Sequence, residues 1–517
     1  MSQHLLIAPL VLPLCAAVLL LWRRGGAPII KRSLGIGATL ALVVIGIALV
    51  HMAGDGVIRY YALGDWQPPF GIVLVLDRLS AMMVLLTAVL ALGAILYASA
   101  GQDEDGTNFQ GLFQLQLLGI NGAFLTGDLF NLFVFFEVLL IASYALLMHG
   151  GGRSRTGAGM HYVALNLAGS SLFLFALGIL YGALGTLNMA DMARQIGAGL
   201  DAHQRGLVHA GGLLLLSVFA HKSAMLPLHF WLPRAYAAAP APVAALFAIM
   251  TKIGLYAILR VYSLIFADHA GPLAGLAQPW LWWCGLATLA VAGVGVLSAR
   301  DLRLQTSYLI LISVGTLLCA FGMGHIESIT AALYYIVHTT LVTGGLFLLA
   351  DMIASQRGRA GARAVRSRPL VQPGRLGALY FIGMIAVIGL PPLSGAIGKA
   401  LVLSSAGEEQ ALWLWPILLL AGLCGIISAS RAGSTIFWRA GEGDPEGPRM
   451  GWRRGLGITG LIAASPVLTV LAGPMSDYAA ATAHQLSDPD HYLQAILGNP
   501  TTASEAADVS HAGGESS

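Results

Sequence analysis

The chain has 517 residues, of which 57% are hydrophobic and only 10% are charged. Because a soluble domain carries roughly 25% charged residues, this composition excludes a soluble globular protein. The formal net charge of +3 is too small to indicate a partner, so the positions of the charges matter more than their sum.

Long apolar runs recur from one end of the chain to the other and predict an all-α polytopic membrane protein. A helix needs about 20 apolar residues to cross a bilayer, and on that basis we predict fourteen transmembrane helices. No small-residue cleavage site follows the first run, Leu5 to Trp22, so we interpret it as helix 1 and not as a signal peptide. In chain order the approximate spans are 4–22, 33–52, 72–98, 109–126, 128–148, 160–183, 207–232, 240–266, 279–298, 304–322, 328–353, 376–405, 411–438 and 456–474.

The basic residues between the spans divide unequally between the two sides of the membrane. Most of the 28 arginines and lysines, Arg23 and Arg24 among them, fall in or beside the loops after predicted helices 1, 5, 7, 9, 11 and 13. The opposite loops hold Arg59, Arg194, Arg205 and Arg260. Because basic residues accumulate on the cytoplasmic side, we expect a bacterial plasma (inner) membrane protein with both termini on the outer side.

The spans suggest a division of the chain into five parts. Helices 4–8 and helices 9–13 would form two five-helix repeats of opposite orientation, and the segment from about Asp477 to Ser517, which has acidic residues but no lysine or arginine, would be polar and poorly ordered. The parts are 1–108 (helices 1–3), 109–266 (first repeat), 279–438 (second repeat), 439–474 (helix 14) and 475–517 (polar C-terminal tail).

Three of the four lysines, Lys222, Lys252 and Lys399, fall inside predicted spans. A charge at the bilayer centre costs from about 2.5 kcal/mol upward on insertion scales. Fixed positive charges in this chain are nearly all arginines, which stay protonated, whereas a desolvated lysine can give up its proton. The intramembrane lysines therefore indicate groups that exchange protons.

Glu137 lies near the middle of LFNLFVFFEVLLIASYALLM, and His338 lies within YYIVHTTLV. Movement of a lysine toward or away from Glu137 would change which group holds the proton, and His338 can pass protons between lysine sites. Each residue alone has a structural interpretation, as a snorkelling lysine, an ion-pair partner or a hydrogen-bonded core histidine. We prefer a proton relay because each of these groups would incur the cost of burial separately.

Two of these lysines stand beside residues that interrupt helices. Lys222 lies in AHKSAMLPLHFWLP and Lys399 in IGLPPLSGAIGK. Interrupted helices in corresponding positions of two halves are typical of inverted repeats with an ion path near the midplane, so we predict that helices 7 and 12 are broken. His221 and His229 flank the first break, either as access-path residues or as structural ones.

The sequence contains no strong motif for chemistry other than transport. No phosphate loop, nucleotide fingerprint, haem motif or catalytic triad stands out, and the four cysteines lack CxxC or Cys/His spacing. We therefore predict a transporter subunit without a cofactor or a metal site, and no nucleic-acid partner. Asp77, Asp128 and Asp351 lie near span ends, where we expect them to be solvated or to cap helices.

Five blocks of the sequence resemble the antiporter-like subunits shared by multisubunit Mrp cation/proton antiporters, respiratory complex I and membrane-bound hydrogenases. They run from helix 3 to helix 12, and the helix 5 block and the fourteen-helix length look most like the D-type subunits of Mrp complexes. The blocks are FGIVLVLDRLSAMM (70–83), TGDLFNLFVFFEVLLIASYALL (126–147), HKSAMLPLHFWLPRAYAAAPAPVAALFAIMTKIGLYAILR (221–260), ALYYIVHTTLVTGGLFLLADMI (332–353) and GLPPLSGAIGK (389–399).

The resemblance implies a role for each of the ionisable residues. Glu137 matches the family's helix 5 glutamate, and Lys222 matches the helix 7 lysine that pairs with it. Lys252 matches the helix 8 lysine, His338 the helix 11 histidine, and Lys399 the helix 12 lysine near the far half-channel. In the family these residues form a hydrated polar axis along the membrane midplane.

The middle of that axis departs from the family pattern. Many relatives have a histidine where this chain has Ser313, and some have a helix 11 lysine where it has Val342. The resemblance therefore implies an axis that is less ionisable at its centre and depends on His338 and ordered water.

From these residues and the resemblance, we predict a proton-translocating subunit of a multisubunit Na⁺/proton antiporter, with K⁺ or Li⁺ as alternative cations and other membrane subunits as partners. One alternative is a redox-driven pump subunit of complex I or of a membrane-bound hydrogenase. Others are a scaffold subunit whose ion path is inactive and an energy-coupling module for inorganic-carbon uptake.

Overall fold

The structure is a computed structural model that describes residues 3–22, 27–439 and 441–498. Most of these residues are helical, as the sequence predicts. The helices of the first half are α1 (Ala8–Trp22), α2 (Pro28–Ala53), α3 (Arg78–Ala98), α4 (Phe109–Leu125), α5 (Leu129–Leu147), α6 (Arg153–Leu184), α7 (Met189–Ala198), α8 (Ala202–Ser223) and α9 (Trp231–Ala238).

The second half continues the same architecture of closely packed helices. A π-helical turn, Ser434–Trp438, extends one of them, α16, at its C-terminal end. The helices are α10 (Ala241–Leu264), α11 (Gln278–Ser298), α12 (Leu302–Met323), α13 (Ile326–Ser355), α14 (Pro373–Ile388), α15 (Ser394–Ser404), α16 (Glu408–Gly433), α17 (Trp452–Val470), α18 (Ala472–Leu486) and α19 (Pro489–Leu497).

The all-α polytopic class is confirmed, but the count of fourteen spans is not. Among the described residues, 9 helices are long and apolar enough to cross a membrane, or 10 if α17 and α18, which meet at 85°, form one bent span. The apolar helices α1, α14 and α15 are shorter than a full span. Fourteen therefore remains a prediction.

Two segments differ from the sequence prediction. Helix 3 does not begin at residue 72, because Val73–Leu76 forms strand β2, which pairs antiparallel with strand β1, Arg59–Ala62. The predicted tail is not poorly ordered as far as residue 498, because it forms part of α18 and all of α19. Its order has a physical cause: Tyr492 of α19 is buried, with its ring 5.7 Å from the guanidinium of Arg260. Residues 499–517 lie outside the described residues, as do Arg23 and Arg24.

Aspartates at helix N-termini set where several helices begin. Asp77 accepts a hydrogen bond from the backbone N–H of Ser80 and so caps α3, while Asp128 caps α5 in the same manner. An N-cap carboxylate satisfies a backbone N–H group that has no partner within the helix. The expectation that Asp77 and Asp128 are capping residues is confirmed, whereas Asp351 is neither a cap nor fully solvated, because it accepts hydrogen bonds from Arg303 and Tyr97.

Both predicted helix breaks are present. Helix α8 stops at Ser223, where Ala224 adopts a left-handed conformation with φ of +60°, and α9 resumes at Trp231. Helix α14 stops at Ile388, where Gly389 has φ of +89°, and α15 begins at Ser394. Prolines within both breaks lack the N–H group that would continue the helix.

The core of the fold lies around α10, α12 and α13. Nearly every residue of α10 is buried, and most residues of α12, α13 and α3 are buried too. Helices α2, α6 and α16 instead leave much of their apolar surface exposed. Because Lys252 is on α10 and His338 is on α13, these two ionisable residues lie in the most deeply buried part of the fold.

Arginine–aspartate pairs form two separate sets, one at each end of the helices. At one end Arg32 pairs with Asp103 at 2.7 Å, and Arg303 pairs with Asp351 at 2.6 Å. At the other end, Arg260 pairs with Asp77 at 2.6 Å. The first set joins helix ends next to the loops that carry most of the basic residues, so it stabilises that end of the fold.

Candidate functional site

The five predicted relay residues lie inside the helical core, on five different helices. Lys222, Lys252, His338 and Lys399 are between 0 and 8% exposed, and Glu137 on α5 is half-buried. Burying an ionisable side chain is costly unless hydrogen bonds or opposite charges compensate. The partners of each residue therefore determine what the group can do.

Helix α6 supplies a hydrogen-bond partner to both Glu137 and Lys222. Ser170 donates a hydrogen bond to Oε1 of Glu137, and Asn166, one turn earlier on α6, accepts one from Nζ of Lys222 at 3.3 Å. The ammonium is also 5.8 Å from the ring centroid of Phe136. Among the described residues, no direct ion pair joins Glu137 to Lys222, so the pairing that the resemblance implies is indirect here.

The position of Lys222 follows from the break after α8. It occupies the last turn of that helix, and Gly254 of α10 packs against the backbone there: a Cβ on Gly254 would lie 2.9 Å from the carbonyl carbon of Lys222. Such a close approach requires glycine. The contact brings α10, which carries Lys252 two residues before Gly254, directly against the broken end of α8.

Lys252 is hydrogen-bonded to Ser313, a residue that the sequence analysis singled out. Its Nζ donates to the hydroxyl oxygen of Ser313 on α12 at 3.2 Å. Ser313 in turn donates to the carbonyl of Ile310 at 2.7 Å. Ser313 is thus a neutral partner for the lysine, at the position where the resemblance implies a histidine.

His338 lies at one end of a chain of hydrogen bonds. Its Nδ1 is 2.7 Å from the hydroxyl of Ser394, which is 2.9 Å from the hydroxyl of Ser465. All three residues are fully buried, and they belong to α13, α15 and α17. The Nε2 atom of His338 has no hydrogen-bond partner within the described part of the chain.

Lys399 is held by the second helix break. Its Nζ donates to the carbonyl of Ile388 at 2.5 Å, a group that α14 leaves without an intrahelical partner because the helix ends there. Gly389 leaves room for the side chain, since a Cβ at that position would lie 2.7 Å from Cδ of Lys399. The break thus both exposes the acceptor and accommodates the lysine.

Further hydroxyl groups are buried in the core close to the helices that carry these residues. Tyr236 on α9, Thr251 on α10 and Thr339 on α13 are buried, and the hydroxyl of each has no partner among the described residues. Buried polar atoms almost always have a hydrogen-bond partner in native proteins. These three hydroxyls are therefore available to bind a proton carrier such as water.

The two histidines beside the first break have different surroundings. His221 is buried, its ring centroid lies 5.8 Å from that of Trp231, and its carbonyl accepts a hydrogen bond from Trp231 Nε1 at 3.2 Å. His229 lies within the break and packs on Phe230. Neither contacts the relay residues through a hydrogen bond that the described structure contains.

The sequence prediction missed the neutral partners of the site. These partners are small polar residues in apolar segments, and the sequence alone does not show which ionisable side chain each one contacts. They are Ser170, Asn166, Ser394 and Ser465. One signal was present: Asn166 and Ser170 are four residues apart, which places two polar groups on one face of an apolar helix.

Comparison with known proteins identifies the family of the chain. A family profile described as "NADH:quinone oxidoreductase/Mrp antiporter, TM" matches residues 126–425, which include all five relay residues. A protein of Rhizobium meliloti, named as the probable D-type subunit of a K⁺/H⁺ antiporter, is 40% identical, with 97% of this chain and 99% of that protein covered. The D-type subunit of the Na⁺/H⁺ antiporter of Bacillus subtilis is 35% identical over 96% of this chain and 99% of its own length.

The fold is also similar to a solved complex. A chain in the structure of the Mrp complex from Dietzia sp. DQ12-45-1b superposes with a TM-score of 0.86 at 25% sequence identity, and the match covers 96% of this chain and all of that one. The sequence and the fold thus lead to the same conclusion. This chain belongs to the NADH:quinone oxidoreductase/Mrp antiporter family of membrane subunits.

Proposed function

We propose that this chain is the proton-translocating, D-type subunit of a multisubunit monovalent cation/proton antiporter. One observation carries the proposal: each buried lysine is held by a neutral acceptor. Lys222 bonds to an amide, Lys252 to a hydroxyl and Lys399 to a backbone carbonyl. A lysine held in this way can lose its proton without leaving a buried carboxylate unpaired.

A fixed ion pair elsewhere in the chain provides the contrast. Arg260 and Asp77 are both buried and pair at 2.6 Å, and an arginine does not release its proton. The chain therefore contains both kinds of buried cation, one permanently neutralised and one free to exchange. Only the second kind occurs at the predicted relay positions.

Protons in this mechanism move along Glu137, Lys222, Lys252, His338 and Lys399. Between these groups, the unpartnered hydroxyls of the core bind water that carries the proton across the remaining distance. Asn166 and Ser170 separate Glu137 from Lys222, so a shift of either charged side chain to form the direct pair changes which one holds the proton. That change couples proton movement to a neighbouring membrane subunit.

The repeats and the membrane orientation are part of the same proposal. The two broken helices, each carrying a lysine, support inverted repeats at 109–266 and 279–438. The end of the helices at which Arg32 pairs with Asp103 and Arg303 pairs with Asp351 would be cytoplasmic. Both termini would then lie on the outer side of the bacterial plasma membrane. The other antiporter subunits would be the partners.

The exchanged cation is Na⁺ in our primary proposal, with K⁺ or Li⁺ as alternatives. The two relatives differ in this respect, since one is named for K⁺ and the other for Na⁺. The family description also includes NADH:quinone oxidoreductase, which supports a redox-driven pump subunit as the second candidate function.

Replacement of Glu137 or Lys222 by alanine in the assembled complex tests the proposal. We expect Na⁺- or K⁺-dependent proton flux in inverted membrane vesicles to fall by about 100-fold, the scale of a lost proton-transfer group. Lys31→Ala, in the first turn of α2, is the control and should leave flux unchanged. Normal flux in Glu137→Ala and Lys222→Ala complexes would reject the mechanism and favour a scaffold role.

A further inference from the structure

The hydrogen-bond chain from His338 through Ser394 to Ser465 joins three helices at full burial. Its two links measure 2.7 and 2.9 Å, which are good hydrogen-bond distances. Ser394 is the first residue of α15, immediately after the second helix break. The chain therefore connects the ring of His338 to the part of the fold where helical structure is interrupted.

The imidazole ring is held tightly on several sides. The ring of Tyr335 stacks on it at 5.9 Å with an interplanar angle of 26°. A Cβ on Gly395 would lie 2.7 Å from Nε2 and 1.9 Å from the carbonyl oxygen of Ala386, so α15 can begin there only with glycine. The ring has little freedom to rotate, and its two nitrogen atoms keep distinct surroundings.

Those surroundings differ in a way that matters for proton exchange. Nδ1 is bonded to Ser394, whereas Nε2 makes no hydrogen bond of standard geometry among the described residues and lies beside the carbonyl of Ala386 in the last turn of α14. The same turn provides the Ile388 carbonyl that holds Lys399. A histidine that served only to fill the core would be expected to have both nitrogens satisfied.

We propose that Ser394 is a positioning residue for His338, and that Ser465 orients the hydroxyl of Ser394; this inference rests on the proposed proton relay. Nδ1–H donates to Ser394, and Ser394 donates its own proton to Ser465. Nε2 then presents its lone pair toward the break that holds Lys399. A proton that arrives on Nε2 gives the imidazolium, and its departure from Nε2 restores the same neutral tautomer.

The serine pair thus decides which nitrogen exchanges protons. Without it, the neutral ring can carry its proton on either nitrogen, and the tautomer with a protonated Nε2 cannot accept a proton on the side of Lys399. A fixed partner on one imidazole nitrogen sets the chemistry of the other. The role belongs to Ser394 because its hydroxyl contacts the ring directly, and to Ser465 only through Ser394.

A pair of near-isosteric variants tests this role in the assembled complex. Ser394→Thr keeps the hydroxyl and Ser394→Val replaces it with a methyl group, while both side chains have nearly the same volume. We expect Ser394→Val to lower proton flux by about 10- to 100-fold, the scale of one lost hydrogen bond to a charged group, and Ser394→Thr to retain most of the flux. Equal flux in the two variants would overturn the inference.

A double-mutant comparison separates positioning from packing. If Ser394 acts through His338, then Ser394→Val should cause no further loss of flux in a His338→Gln background. Additive losses would show that Ser394 acts independently and would reject the proposal. If His338→Gln alone leaves flux normal, the proton relay itself is wrong, so the two failures are distinguishable.

Two further variants keep the proposal testable if the substitutions at Ser394 prevent assembly of the complex. Should the larger side chains at Ser394 prevent folding, Ser394→Ala and Ser465→Ala remove the same hydroxyls without adding volume, and both should lower flux. The matched control is Ser428→Ala, which removes a buried serine that links α16 to Gln305 and to the carbonyl of Val296. It should leave flux unchanged. Normal flux in Ser394→Ala would overturn the proposal.

Discussion

Replacement of Lys252 by methionine should make the protein more stable while it removes proton transport. Lys252 is completely buried, and the hydrogen bond described for its ammonium is the one to Ser313 at 3.2 Å. Transferring an ammonium from water to a buried site costs several kcal/mol, and one hydrogen bond of a charged donor returns about 1.5–3 kcal/mol. Methionine has a similar length and no charge.

The structure also indicates that the substitution leaves no new unpaired group. Ser313 keeps its hydrogen bond to the carbonyl of Ile310 at 2.7 Å, so its hydroxyl remains satisfied. We therefore expect Lys252→Met to stabilise the folded protein by about 1–3 kcal/mol. For a protein of this size, that corresponds to a rise in Tm of about 1–3 °C.

Thermal unfolding of the purified complex and proton flux in vesicles are the two measurements. Lys252→Arg is the informative control, because arginine keeps the charge but does not release its proton. It should abolish flux without the gain in Tm. A lower Tm for Lys252→Met, or flux that survives in that variant, would refute the view that this lysine is retained for proton exchange at a cost in stability.

Three further outcomes follow from contacts in the structure. Arg260→Met should destabilise the protein by about 3–5 kcal/mol, because Asp77 would stay buried without its cation; thermal unfolding checks this, and adding Asp77→Asn should restore part of the loss. Ser313→Ala should leave Tm within a few degrees but alter flux, since it removes the partner of Lys252 at 3.2 Å. His149 lies outside the spans, and burial lowers its pKa below the ordinary value. Its contribution to stability is therefore present above about pH 6.5 and is lost as the pH falls further. The Tm measured from pH 7 to 5 should fall, and it should fall less steeply in His149→Gln.

The elements that carry the site were predictable because their signals are local. Ionisable residues in apolar runs are rare, so Glu137, Lys222, Lys252, His338 and Lys399 stand out in the sequence alone. The breaks beside Lys222 and Lys399 were likewise visible, since proline and glycine restrict or free the backbone wherever they occur. Both kinds of signal depend on a residue and its immediate neighbours.

The partners of those residues were not predictable because they depend on how helices are rotated against each other. Ser465 contacts Ser394 from 71 positions away in the sequence, and serine is common in apolar helices. The order of α19 was missed for the same reason. Its segment is polar in composition, and only the packing of Tyr492 over Arg260 explains why it folds against the core.

The distribution of charge in this fold separates stability from transport. Arginine–carboxylate pairs occupy the ends of the helices, where Arg32, Arg303 and Arg260 each have an aspartate partner. The lysines at the predicted relay positions instead have neutral hydrogen-bond partners, and we propose that their protonation can change without a compensating counter-charge. If a carboxylate were introduced next to a relay lysine, for example by Ser313→Asp beside Lys252, the fixed pair that results should stop proton flux although the path gains an ionisable group. Flux equal to that of the unaltered complex would show that neutral partners are not what keeps the lysines exchangeable.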